Sequence, residues 1–245
     1  MTKYKALFIS DIHLGKTTPK IKELLDFLQD KKFEKIFLVG DIFDAWELLY
    51  HWNWKKEYNT FIQKILEAAK NGTDIYYIFG NHDDFFIKFI KKRNMFLNFA
   101  NITIKKEYIY TTNNKQILIS HGDRYDFLNR FITIHLRKVA YFTNSFFIRK
   151  IVCLGNEILH EIEKRCISWE NKKIQFRKRL LRSATKQNCQ AVICGHLHTP
   201  NMIRDGESLY LNTGDYLDKE TCIIEDNEGN FNLYKKNKII QTISF

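Results

Sequence analysis

The sequence predicts an α/β protein whose parallel strand–helix core is interrupted once by a helical insertion. Three features lead there. Apolar strand-like runs alternate with amphipathic helical segments from residue 5 to residue 79, the pattern of a parallel sheet joined by crossover helices. Strand-like runs return between residues 190 and 235. Between the two regions, residues 124–188 read as helical throughout and contain no proline, the residue that most readily breaks a helix.

Taken in order, Lys5–Ser10 is a short apolar run suited to a buried strand. Lys20–Asp30 places Ile21, Leu24, Leu25 and Leu28 on one helical face. Lys35–Val39 is a second strand, ended by Gly40. Glu57–Lys70 is a second helix with Phe61, Ile65 and Ala68 inward and Gly72 beyond its end. Asp74–Phe79 is a third strand, ended by Gly80. Shorter strands follow near 102–105, 107–112 and 115–120, and later ones near 190–194, 208–212, 220–225 and 231–235. The expected division is therefore a core of residues 1–123 and 189–245, with residues 124–188 as an inserted helical cap.

A chain of 245 residues is long enough for one large domain with a sizeable core. Its net charge of +11 is concentrated. Residues 124–188 hold 15 Lys and Arg against 5 Asp and Glu, so nearly all of the excess lies in the insertion. That implies an anionic partner: acidic lipid headgroups, nucleic acid or a phosphorylated substrate. The bland alternative is a solvated helical surface. The five cysteines are scattered with no C-x-x-C pair, which argues against a zinc knuckle or disulfide framework and for a reduced, cytoplasmic setting. No secretory h-region and no apolar stretch of bilayer-spanning length is present.

Five short motifs stand where predicted strands end: Ser10-Asp11-Ile12-His13-Leu14-Gly15, Gly40-Asp41-Ile42-Phe43-Asp44, Gly80-Asn81-His82-Asp83, Ser120-His121-Gly122-Asp123 and Gly195-His196-Leu197-His198. Ligands gather beyond the carboxyl ends of strands in α/β sheets, so all five could converge. In extended chain, residues i and i+2 point the same way. Asp11 with His13, and His196 with His198, are each expected to give two ligands to one place. Asp11, His13, Asp41, Asn81, His121, His196 and His198 together mix hard oxygen donors with imidazoles. That set suits Mn, Fe, Zn or Co better than calcium. Two such metals roughly 3.5–4 Å apart can clamp the attacking and leaving oxygens of a phosphoester hydrolysis.

These motifs resemble the calcineurin-like metallophosphoesterase superfamily, with its D-x-H, G-D, G-N-H-D/E, H and G-H-x-H pattern, on both sides of the insertion. The resemblance implies a four-layer α/β/β/α sandwich and two divalent metals, manganese foremost, with Fe, Zn, Co or Mg as alternatives. It also implies that Asp11, His13, Asp41 and His198 hold one metal and Asp41, Asn81, His121 and His196 the other, with a metal-bridging hydroxide as nucleophile. In the same way it suggests that His82 contacts the phosphoryl oxygens or protonates the leaving group, and that Asp83 orients His82.

Finer features resemble the UDP-2,3-diacylglucosamine diphosphatases of lipid A synthesis: Gly40-Asp41-Ile42-Phe43-Asp44-Ala45-Trp46, His121-Gly122-Asp123-Arg124 and Leu211-Asn212-Thr213-Gly214-Asp215-Tyr216. That likeness implies hydrolysis of a UDP-linked diacylated sugar to UMP and a sugar 1-phosphate at the cytoplasmic face of the inner membrane. Asn81, His82, Asp44, Trp46 and Arg124 are the expected substrate contacts. The insertion interleaves Phe127, Phe131, Phe142, Phe146 and Phe147 with Arg130, Arg137, Arg149 and Lys150. Its apolar residues would hold acyl chains or form the insertion's own core, and its cations would meet phosphates. One departure stands out: the best-known branch has arginine where this chain has His82. The cluster Trp46, Tyr50, Trp52 and Trp54 either stacks a base or is core. Two further readings compete, a general phosphodiesterase or nuclease with a basic cap and a metal-free binding scaffold.

Overall fold

The structure is a computed structural model that describes residues 1–16, 20–83, 101–126 and 169–245, without the side chains of Trp46, Leu49 and Tyr50. Strand β1 (Thr2–Ile9) ends in four consecutive buried residues, Ala6–Ile9. A run buried on both faces belongs to a strand covered on both sides. Successive side chains of a strand alternate in direction, so Leu7 and Ile9 enter one apolar cluster while Ala6 and Phe8 enter another. β2 (Lys31–Val39) and β3 (Asp74–Ile78) repeat this alternation.

The first cluster lies under two helices. α1 (Ile21–Leu28) buries Ile21, Leu24, Phe27 and Leu28, and α3 (Lys56–Lys70) buries Tyr58, Phe61, Ile65 and Ala69. The second cluster lies between two sheets. One sheet has seven strands in the order β12-β11-β10-β1-β2-β3-β4, and the other five in the order β5-β6-β7-β9-β8. Here β4 is Ile102–Lys105, β5 Glu107–Thr112, β6 Lys115–Ser120, β7 Ala191–Cys194, β8 Asn201–Asp205, β9 Ser208–Asn212, β10 Thr221–Glu225, β11 Phe231–Lys235 and β12 Lys238–Ile243. Phe8, Phe37 and Tyr76 are register neighbours on β1, β2 and β3, and their rings stack at 4.8 and 4.6 Å. Ile117, Ile119, Ile193 and Leu211 meet them from the five-stranded sheet.

The α/β class is as expected, and its helix, sheet and sheet layers are complete within the described residues. The fourth α-helix among the described residues, α4 (Trp169–Lys186), leads into β7. The chain divides into two compact units, residues 1–121 with 184–245, and residues 122–183. Most of the sequence expected to be a helical cap, residues 127–168, lies outside the described residues. Among the described residues, no helix is long and apolar enough to cross a membrane.

Several elements differ from the sequence expectation. β2 begins at Lys31, four residues before the expected Lys35. In α3 Ala69, rather than Ala68, is the buried alanine. The short helix α2 (Ala45–Tyr50), capped by the Asp44 carboxylate on Glu47 N, was not expected. Nor were β8 and β12. β12 is an edge strand with Ile239 and Ile240 both exposed, so it lacks the apolar–polar alternation that marks a half-buried strand.

A polar staple ties the two sheets together away from the motif loops. Glu225 on β10 is fully buried, accepts hydrogen bonds from Tyr110 (2.8 Å) and Thr112 on β5, and pairs with Lys5 Nζ at 3.4 Å. Glu225→Gln keeps the volume and removes the charge. We expect it to lower urea-unfolding stability by about 1–2 kcal/mol. Hydrolytic rates should stay unchanged, because Glu225 is in register with Ala6, a strand distance of roughly 16 Å before Asp11.

Candidate metal centre

β1, β2 and β3 run parallel in one sheet, and β6, β7 and β9 run parallel in the other. Their carboxyl ends carry the loops that hold the five motifs and the Asn212–Asp215 stretch, the position where α/β sheets place their ligands. Asp11, His13, Asp41, His196 and His198 all have positive φ, between 50° and 69°. Non-glycine residues seldom adopt that conformation, and where they do it often marks a functional site. The extended-chain expectation for these pairs is therefore corrected. β1 stops at Ile9 and β7 at Cys194, and it is the left-handed turns after them that aim the side chains. Asp11 and His13 do meet, whereas His196 and His198 go to different groups.

Three groups of candidate ligands result among the described residues, and one of them, His13, Asp44 and His82, shares His13 with another. Ligand atoms of Asp11, His13 and His198 lie within 4.8 Å of one another, as do those of Asp41, His121 and His196. His198 Nε2 is 3.1 Å and His13 Nε2 3.9 Å from Asp11 Oδ1, and His121 Nε2 is 3.1 Å from Asp41 Oδ2. Glycines admit this crowding. A Cβ on Gly80 would overlap Asp41 Oδ1 and His121, and one on Gly195 would overlap Ser10 Oγ and Asp11 Oδ2. Asn81 and His82, both half-buried, sit with Asp83 in the turn after β3.

The donors fit a divalent cation. A carboxylate only accepts, so His13 Nδ1, 3.1 Å from Asp44 Oδ2, carries the ring proton and Nε2 presents a lone pair. Burial keeps His13 neutral by pushing its pKa down, against the opposing pull of Asp44. His13 Nε2 and Asp11 Oδ1 are both buried and make no hydrogen bond within the protein. Two buried acceptors facing each other are costly unless a cation lies between them. His121 is oriented similarly, with Nδ1 2.9 Å from the Val39 carbonyl. Burial alone would raise the Asp11 carboxyl, but His198 and His121 outweigh it and hold it below the usual range. For Asp41 burial is likewise overcome, by His121 and then His82.

The carboxylate beside His82 is not the expected one. His82 Nδ1 lies 3.0 Å from Asp44 Oδ2, the same oxygen that meets His13. Asp83 instead accepts from Gly80 N (2.6 Å), Ile42 N (3.0 Å) and the Tyr77 hydroxyl (2.7 Å). It shapes the turn rather than orienting His82. Burial, then the charge of Asp41, pushes the Asp83 carboxyl up to about 7. Asp44 is the opposite case: His82 and His13 overcome its burial and hold it well below the usual range.

Of the other expected contacts, Arg124 is exposed in the 122–183 unit. Trp46 lies in α2 with its side chain outside the described residues, as are Arg130, Arg137, Arg149 and Lys150 altogether. Trp52 is exposed and stacks on Trp54 at 5.8 Å. Sequence reasoning missed the position of Asp44 between two histidines; the only signal was its spacing, three residues after Asp41. It also missed Lys16, whose ammonium is 3.8 Å from Asp44, and gave no role to Asp215 of the Leu211–Tyr216 stretch, which lies 4.0 Å from His198 Nδ1.

Residues 4–200 match the family model for calcineurin-like phosphoesterases. A protein of Wigglesworthia glossinidia brevipalpis named UDP-2,3-diacylglucosamine hydrolase is 26% identical over 214 residues, 80% of each chain. One of the same name from Aliivibrio fischeri (strain MJ11) is 24% identical over 254 residues, 94% of this chain and 98% of its own. Among solved structures, Yfce, a phosphoesterase from E. coli, aligns with a TM-score of 0.50 at 15% identity over 98% of both chains, a likeness of fold alone.

Proposed function

The chain belongs to the calcineurin-like phosphoesterase family, and from that membership we propose that it hydrolyses the diphosphate bond of UDP-2,3-diacylglucosamine or a close analogue, releasing UMP and 2,3-diacylglucosamine 1-phosphate. The observation that carries the hydrolytic reading is the pair of ligand clusters Asp11–His13–His198 and Asp41–His121–His196. The substrate reading is supported by the names of the relatives, one of them similar along nearly the whole chain, and by the Asp41–Trp46 and Asn212–Tyr216 stretches.

When bound, two divalent ions, manganese foremost, would activate water and neutralise phosphoryl charge. Asp11, His13, Asp41 and His198 would hold one, and Asp41, Asn81, His121 and His196 the other. The remaining work falls to the chain. Asp44 fixes the His82 ring with Nδ1 toward the carboxylate, which leaves Nε2 for a phosphoryl or leaving oxygen. Proton donation there is the general-acid role. Sharing one Asp44 oxygen with His13 ties the orientation of that acid to the orientation of a metal ligand.

The exposed Lys178, Arg179, Arg182 and Lys186 of α4 suit an anionic lipid surface, here the cytoplasmic face of the inner membrane. The same basic helix favours a second reading, a phosphodiesterase or nuclease acting on a polynucleotide. One assay separates them. Purified protein with Mn²⁺ should release UMP from the UDP-diacylated sugar, and chelator should abolish that release. Hydrolysis of an aryl phosphodiester and of single-stranded DNA, with the lipid untouched, would establish the second reading instead.

A further inference from the structure

Asp11 uses its two oxygens differently. Oδ1 faces His198 and His13. Oδ2 accepts from the Ser10 hydroxyl and from His196 N (3.1 Å). Ser10 Oγ also lies 2.7 Å from Thr213 Oγ1 and 3.2 Å from the Gly214 carbonyl, and Thr213 Oγ1 lies 3.1 Å from the Cys194 carbonyl. All three side chains are fully buried.

Each hydroxyl has one proton, while an ionised carboxylate and a carbonyl only accept. The shortest contacts take the protons: Ser10 donates to Asp11 rather than to the Gly214 carbonyl, and Thr213 donates to Ser10 at 2.7 Å rather than to the Cys194 carbonyl at 3.1 Å. The chain Thr213→Ser10→Asp11 runs from the end of β9 in the five-stranded sheet to the end of β1 in the seven-stranded sheet. It passes under Gly195, where any Cβ would strike Ser10 Oγ and Asp11 Oδ2, and His196 N closes it from β7.

We propose that Ser10 and Thr213 are positioning residues for the metal centre: their hydroxyl relay occupies Asp11 Oδ2, leaves Oδ1 as a single-oxygen ligand, and locks the ligand loops of the two sheets together. This deepens the metal reading above and rests on it. Occupying one oxygen stops Asp11 from swinging into a two-oxygen mode or toward the Asp41 cluster. Outer hydrogen-bond partners of metal ligands are typically worth about 10–100-fold in affinity.

The test is calorimetric titration of metal-stripped protein with Mn²⁺, beside far-UV circular dichroism and thermal melting of the stripped forms. Ser10→Ala should weaken one of the two sites about 10–100-fold and the other only a few-fold. Thr213→Val, which removes the donor at constant shape, should weaken the same site by less, and Thr213→Ser should restore it. If Ser10→Ala does not fold, the two Thr213 variants carry the comparison. Unaltered titrations in folded Ser10→Ala and Thr213→Val would overturn the relay while leaving the metal centre standing, as would equal weakening of both sites. Wild-type protein that takes up no metal would overturn both.

Discussion

Asp41→Ala should abolish binding at both metal positions and lower turnover by at least about 10³-fold. A catalytic metal contributes several kcal/mol of transition-state stabilisation, and each ~1.4 kcal/mol is a factor of ten in rate. The structure adds a second reason. Asp41 Oδ2 is 3.1 Å from His121 Nε2, while Oδ1 receives the His82 amide at 2.8 Å. Removing the side chain thus takes a ligand and also frees the turn that presents His82. Asp41→Asn keeps the shape and the amide contact but loses the charge, so it should retain the fold and still lose most of the metal. Metal content by atomic emission and steady-state rates with Mn²⁺ measure both. Normal turnover in Asp41→Ala would reject the shared-ligand assignment.

The second large effect is at Asp44. Asp44→Ala should slow hydrolysis by about 10²–10⁴-fold, the range for losing a positioned acid–base group, and weaken metal binding by about 10–100-fold. Both follow because one carboxylate oxygen serves His13 and His82. Asp44 also caps α2 through Oδ1, which adds about 1 kcal/mol of instability. Asp44→Asn preserves the cap and separates the two contributions. Asp83→Asn makes the contrast. Its carboxylate holds two amides and the Tyr77 hydroxyl, so the change should cost stability and leave the His82 geometry in place. A larger rate loss in Asp83→Asn than in Asp44→Ala would restore Asp83 as the partner of His82.

The metal-ligand candidates and most of the core strands were legible in the sequence, for a physical reason. Apolar runs such as Leu7–Ile9 and Phe37–Val39 must be buried, and Asp, His and Gly clustered at their ends have few other uses. Both signals are local. The burial of β1 on two faces is written in its uninterrupted apolar stretch, and the helices in the spacing of Ile21, Leu24 and Leu28. The edge strand β12 escaped because it has one partner and no alternation to display.

Only the tertiary structure decided which groups meet across the chain. Sequence proximity paired Asp83 with its neighbour His82, but the backbone turn sends Asp83 to Gly80, Ile42 and Tyr77 and brings Asp44 to His82 from a separate loop. Ser10 and Thr213 likewise touch because two sheets end side by side, whereas the division of His196 from His198, made by their positive φ, is the one the family resemblance already implied. Composition and periodicity constrain what a segment must bury. Hydrogen-bond partners 30 or 200 residues away are set by loop dihedrals and sheet packing, which no local pattern encodes.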